Sequence, residues 1–353
     1  MARIDEYLTE ILHKKGSDLH FLAGDPPRIR LYGDLLTLRP DRLTPDYVKE
    51  CLYEIMPKQA VRRFETKDGT DFAHSVPGVA RFRVNVMRQL NGMGAVFRVI
   101  PTTALTLQQL NMPDAVRNLC RVNSGLILVT GKTGSGKSTT LAAMIDDINT
   151  REKGHIITIE DPIEFVHQRK SCLISQREVG VHTPAFSSAL LSALREDPDV
   201  VLVGELRDLE TMSIAVTAAE MGILVMGTLH TNGAAPTVDR LVNQFPADKQ
   251  SHVRTMLSTS LRGVVSQQLL QRADKQGRVA ALEILVNTPA VANLIRQGKL
   301  DQLENSMQSG AQHGMRTMDM AIQALLDERI ISGKTAYQKS MNKSKFDPVK
   351  DQG

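Results

Sequence analysis

The run Gly131-Lys132-Thr133-Gly134-Ser135-Gly136-Lys137-Ser138 has the spacing G-x-x-x-x-G-K-[ST]. Each residue type in it has a task at a polyphosphate. Glycines let the backbone curl until successive N–H groups face one phosphate cluster, and a helix that begins where the loop ends adds its positive dipole end. Lys137 reaches the β- and γ-phosphates, and the Ser138 hydroxyl is a ligand for Mg2+. The flanks agree. Gly125-Leu-Ile-Leu-Val-Thr130 reads as a buried strand, and Leu141, Ala142, Ala143 and Met144 are good helix formers just past the loop. The motif predicts ATP and Mg2+ as ligands, yet phosphate binding alone does not separate a kinase, a transporter subunit and a motor.

Hydrolysis needs carboxylates as well, one to hold a metal-bound water and one to orient the attacking water. Two apolar runs end in acids, Thr158-Ile159-Glu160-Asp161-Pro162-Ile163-Glu164 and Val203-Gly204-Glu205-Leu206-Arg207-Asp208. Glu205 lies just past a strand end, where its side chain faces a γ-phosphate, and Glu160 and Glu164 join from a neighbouring strand. The same positions also suit ordinary strand-end acids or helix caps. His230, in Thr228-Leu229-His230-Thr231, reads either as a γ-phosphate sensor or as a satisfied polar residue at a strand end. His20, His155 and His167 read as fold chemistry. Arg81, Arg83 and Arg98 lie on strands near the start of the chain, and Arg81 and Arg83 alternate with Phe82 and so share a face. They are candidates for transition-state charge or, equally, a solvated strand face.

The elements that must position these groups fall into two styles. The first hundred residues read as a small α+β domain. Ile4, Leu8, Ile11 and Leu12 recur at helical spacing, Leu19–Leu22 is a short strand, Val48–Ile55 a helix, and Arg81–Val86 and Ala95–Ile100 are strands. Pro101-Thr102-Thr103 predicts a hinge-like linker. Beyond it, short apolar runs at 125–130, 155–160, 199–204 and 224–229 alternate with helical stretches, the pattern of a mostly parallel sheet buried on both faces. Helical periodicity dominates from about Thr288, and the polar, basic stretch from Lys339 to Gly353 is predicted to fray. The divisions are 1–100, a linker at 101–109, an ATPase core at 110–275 and a helical extension at 276–353.

Composition narrows the class. A net charge of +4 over 353 residues and 4% aromatics argue against a nucleic-acid-binding protein, which needs a basic face or stacking platforms. Cys51, Cys120 and Cys172 are far apart, which excludes a C-x-x-C zinc knuckle and suits a reducing compartment. Acids occupy the start of the chain where a signal peptide would be apolar, and no apolar run approaches the roughly 20 residues of a membrane span. The expectation is a cytoplasmic protein.

Taken together, these segments resemble the type II/IV secretion ATPase superfamily, and within it most closely the pilus retraction (twitching motility) ATPases. The likeness runs through Gly16-Ser17-Asp18-Leu19-His20 and Gly78-Val-Ala-Arg81-Phe-Arg83-Val-Asn85. Gly131 to Thr140, including Thr139, resembles the Walker A segment, and Ile159 to Glu164 the aspartate box. Ser192 to Asp208 resembles Walker B, and Gly227 to Thr231, followed by Asp239-Arg240, the histidine box. The resemblance implies a PAS-like N-terminal domain followed by a RecA-like domain with a mostly parallel sheet and a helical extension. It implies a hexameric ATP-driven motor that powers pilus retraction, docked on an inner-membrane platform protein at the cytoplasmic pilus base. It also implies Glu205 as catalytic base, Glu164 with Ser138 and Glu160 at the Mg2+ site, His230 as a nucleotide-state sensor, and Arg81, Arg83 and Arg98 at the nucleotide. Assembly-type relatives carry a paired-cysteine zinc insertion and a longer N-terminal region, both missing here, which favours retraction. The retraction motif A-I-R-N-L-I-R-E reads Ala290-Val291-Ala292-Asn293-Leu294-Ile295-Arg296-Gln297 in this chain. Its changes at Ala292 and Gln297 leave an accessory retraction paralog, or a related secretion-system ATPase, as the alternative.

Overall fold

Leu8 and Ile11 on helix α1 (Asp5–His13), with Ile4 just before it at helical spacing, are fully buried, so the helix lies with that face on a sheet. The structure is a computed structural model that describes residues 2–31, 34–100 and 104–351. Strands β1 (Asp18–Leu22), β2 (Arg28–Leu31) and β3 (Asp34–Thr37) follow, then α2 (Pro45–Ile55) and α3 (Lys58–Lys67). Strands β4 (Gly69–Val76), β5 (Ala80–Gln89) and β6 (Gly92–Ile100) close an antiparallel six-stranded sheet among the described residues, in the order β3-β2-β1-β6-β5-β4. Alternation sorts its side chains: Leu19, Phe21, Phe82, Val84, Val86 and Phe97 enter the core with Leu8 and Leu52 of the helices. The predicted strands and first two helices are present; α3 and β4 were not legible in the periodicity. The predicted linker at Pro101–Thr103 lies outside the described residues.

A second compact unit comprises 104–161 and 167–353, while Pro162–Val166 groups with the first. Its elements begin with α4 (Asp114–Leu119), β7 (Gly125–Thr130), α5 (Lys137–Arg151), β8 (His155–Glu160) and β9 (Leu173–Glu178). They continue with α6 (Phe186–Ala193), β10 (Val200–Val203), α7 (Leu209–Glu220), β11 (Leu224–Leu229), α8 (Ala234–Asn243) and α9 (Ala247–Ser260). Strands β12 (Leu261–Gln271) and β13 (Arg278–Val286) then precede α10 (Pro289–Gln297), α11 (Leu303–Ser309), α12 (Met318–Asp327), α13 (Gly333–Lys339) and α14 (Lys343–Phe346). The sheet order is β13-β12-β7-β11-β10-β8-β9, parallel throughout except for the β12–β13 hairpin at its edge. Every residue of β7, β10 and β11 is buried, as apolar runs covered on both faces require. One face packs α6–α11; the other packs α4 and α5.

The C-terminal part is helical from Pro289, after β13 has closed the sheet edge. The expected fraying of the tail is not met over 339–351. Phe346, on α14, is fully buried with Leu270, Ile322, Ile331 and Ala336, and this apolar anchor ties down an otherwise polar stretch. Replacing Phe346 with alanine is expected to cost about 3 kcal/mol of local stability. Limited proteolysis should then cut faster at Lys339, Lys343 and Lys345 while the sheet core stays resistant.

Candidate nucleotide site

The loop between β7 and α5 has the backbone that its glycines predict. Gly131 and Gly136 sit at φ +140° and +89°, where L side chains are strained. A Cβ on Gly131 would also lie 2.4 Å from the carbonyl oxygen of Gln267, so the loop's base is closed to any side chain. Gly136 caps α5 without a side-chain hydrogen bond, which leaves the donors of the first turn for a ligand. Buried Lys137 folds back over the loop; its Nζ donates to the carbonyls of Gly131 at 2.9 Å and Lys132 at 3.3 Å. The Ser135 hydroxyl is buried with no hydrogen-bond partner among the described residues, an orphan that a phosphate oxygen would satisfy. Ser138 and Thr139 follow in the first turn of α5, and Thr133 lies on the loop. This donor set fits a polyphosphate.

Parallel pairing of β10 with both β8 and β11 brings the acidic and histidine segments to the carboxyl edge of the same sheet. Glu205, two residues past β10, has a side chain only 19% exposed. Its Oε2 forms an ion pair with Arg207, 2.7 Å from Nε, and its Oε1 lies 3.2 Å from His230 Nε2. His230 is therefore not an isolated strand-end residue: it contacts the candidate base directly. Asp208 separates from this group. Its carboxylate caps α7, accepting from the Thr211 N–H at 2.8 Å and hydroxyl at 2.9 Å. At the end of β8, Glu160 Oε1 accepts from Thr158 Oγ1 at 2.7 Å and Gln176 Nε2 at 3.3 Å. Glu164 belongs to the Pro162–Val166 segment of the first unit. His155, bonded to Ser175 and the Glu196 carbonyl, is fold chemistry.

Within the first unit, the register places Arg98 opposite Arg83 and opposite Asp18, which faces Arg30, so these residues share the sheet face away from the core. Arg81, two residues before Arg83, is on that face too. Arg98 Nε donates to Asp18 at 2.8 Å. Burial alone would raise the Asp18 carboxyl, but hydrogen bonds from Ser17 and Arg98 outweigh it and hold the group below its usual range.

Among the described residues no three His, Cys, Asp or Glu side chains converge as a metal cage. A separate cavity of about 340 Å³ opens at the amino ends of the strands, lined by Cys120, Cys172, Asp199 and Leu224. It lies at the opposite edge of the sheet from the phosphate loop. Burial pushes the Cys120 thiol up to about 12, which makes it an unreactive wall of that cavity.

Sequence reading missed Gln267. On β12, beside β7, it is buried, and its Oε1 accepts from Thr140 Oγ1 at 2.7 Å on the first turns of α5. A polar trio, Ser266-Gln267-Gln268, inside the apolar run Val264-Val265…Leu269-Leu270 was the available signal.

The family model for type II/IV secretion system proteins matches residues 1–344. The chain belongs to that family. It is 51% identical over 337 residues to the type IV pilus retraction ATPase PilT of Pseudomonas aeruginosa, a match covering 96% of this chain and 98% of the relative. It is 49% identical over 321 residues to a twitching motility protein of Neisseria gonorrhoeae, covering 91% and 86%. A crystal structure of the pilus retraction motor PilT with bound ADP matches with a TM-score of 0.91 at 43% identity, over 99% of this chain and 100% of that one. The antiparallel N-terminal sheet, the mostly parallel second sheet and the helical C-terminal part are thus those of this family. Among the described residues no helix is long and apolar enough to cross a membrane.

Proposed function

We propose that this chain is an ATP-hydrolysing motor that powers type IV pilus retraction, and that it works as a hexameric ring at the cytoplasmic face against an inner-membrane platform protein. The observation that carries the reading is the near full-length identity to a retraction ATPase, joined to a phosphate loop whose lysine, base candidate and histidine belong to one sheet edge. The division into an N-terminal domain at 1–100, a linker, an ATPase core and a helical extension is part of the proposal.

The residue roles follow from the chemistry. Lys137 and the loop N–H groups bind and neutralise the phosphates, with Thr133, Ser135 and Thr139 as further donors. Ser138, Glu160 and Glu164 would hold Mg2+, which supplies charge neutralisation at the phosphates when bound. Glu205 accepts a proton from the attacking water as that water adds to the γ-phosphorus and ADP leaves. His230, 3.2 Å from Glu205, senses the γ-phosphate and adjusts the base. Arg81, Arg83 and Arg98 supply positive charge to the transition state.

A second reading, an accessory retraction paralog, is favoured by the changed retraction motif. Its two altered positions lie on α10, where Val291 and Ile295 are buried, Ala292 is half-buried and Gln297 is exposed. The test has two parts. The purified protein should release phosphate from ATP with Mg2+, at a rate unaffected by DNA, and should elute as a hexamer. A deletion strain should be over-piliated and unable to twitch. Bald cells would assign the chain to assembly, normal retraction would assign it to the accessory role, and a monomer without turnover would end the motor reading.

A further inference from the structure

The turn that follows His230 is held from below by a buried polar row that no binding role accounts for. Register places Thr130 of β7 beside Ser266 of β12, and Ser266 opposite Glu283 of β13, so the three share one sheet face. All three are buried. That face is otherwise apolar, with Leu126, Leu128, Val264 and Leu285. Each polar group in the row has a partner in the turn or in the helix after it. Thr237 Oγ1 donates to the Gly233 carbonyl at 2.6 Å and lies 2.7 Å from Thr231 Oγ1 and 3.4 Å from Thr130 Oγ1. The Gly233 N–H donates to Ser266 Oγ at 2.8 Å, and the Ala234 N–H donates to Glu283 Oε1 at 2.6 Å.

Glu283 does a second thing. Its other oxygen, Oε2, accepts from the Met318 N–H at 3.0 Å. Ala234 and Met318 are the first residues of α8 and α12, so one carboxylate serves two helix N-termini. No cation is within ion-pair distance of it among the described residues. Burial pushes its pKa up, opposed by these two backbone hydrogen bonds. An isolated carboxylate in such a place is costly unless its acceptors are filled. Fixing two backbone positions at once is what this one achieves: a displacement of α12 against β13 pulls on the carboxylate and hence on the turn that carries His230.

We propose that Glu283 and Ser266 are positioning residues for His230, and that Glu283 links the histidine turn to the C-terminal helices. The inference rests on the reading of His230 and Glu205 as parts of the hydrolytic site. The link acts through geometry, so it should set the rate of the step that uses Glu205 and leave the affinity of the phosphate loop alone.

Steady-state ATPase kinetics of the full chain with Mg2+ and ATP test this. Glu283→Gln keeps the shape but gives up one of the two acceptors; it is expected to lower kcat about tenfold with KM within about twofold. In a His230→Ala background the same change should alter kcat by less than about twofold, because the positioned group is already gone. Ser266→Ala, a milder change that keeps the test open if Glu283→Gln does not fold, is expected to lower kcat about threefold with the same unchanged KM. A kcat close to wild type in a folded variant, a parallel change in kcat and KM, or full additivity with His230→Ala overturns the inference. Absence of turnover in the wild-type protein would instead remove the ATPase reading, so the two failures are distinguishable.

Discussion

Lys137→Ala abolishes measurable ATP turnover, by about a thousandfold or more, and weakens nucleotide binding with it. The size of the effect comes from the lysine's place. Its ammonium group is buried and lies over the loop it serves, bonded to the carbonyls of Gly131 and Lys132. It is pre-positioned where β- and γ-phosphate charge would arrive, and a buried ammonium acts there with little solvent screening. Alanine removes that charge and also the bonds that hold the loop's carbonyls. The check is a filter-binding or fluorescent-nucleotide titration beside phosphate release: near-normal turnover in the variant would exclude the loop as the hydrolytic phosphate site.

Glu205→Ala has the opposite signature. ATP affinity stays within about threefold while turnover falls by 10² to 10⁴, roughly the contribution of a positioned general base. The structure explains the separation. Glu205 lies past the end of β10, apart from the loop on β7 that supplies the phosphate donors, so its loss leaves those donors in place. Its two oxygens meet Arg207 and His230. The Arg207 contact, with a side chain 60% exposed, is screened and adds little stability, so the alanine variant should fold. Single-turnover phosphate release against equilibrium binding of the same nucleotide separates the two effects. A variant that hydrolyses ATP at the normal rate would move the base to another residue.

Much of the site was legible because its chemistry is local. The residues from Gly131 to Ser138 are contiguous, and a strand before and a helix after them are enough to shape a phosphate loop. The buried strands β7, β8, β10 and β11 were equally plain, since a strand covered on both faces reads as an unbroken apolar run. Strands β9, β12 and β13 were not, because edge positions and site-facing residues mix polar with apolar and blur any period. The tail shows the same limit: one phenylalanine, Phe346, outweighs the polar residues around it, and composition cannot say that a pocket waits for it.

By itself, then, the amino-acid order determined the phosphate loop, the two-part division of styles, and the acids and histidine that end its apolar runs. Only the tertiary structure decided which of these meet. Parallel pairing of β10 and β11 sets His230 against Glu205, and β12 entering beside β7 sets Gln267 against Thr140, residues 127 apart in the chain. The same pairing lines up Thr130, Ser266 and Glu283 under the histidine turn. The physical reason is that a strand's neighbours are chosen by the packing of whole faces. That choice is long-range, and no spacing within a single segment carries it.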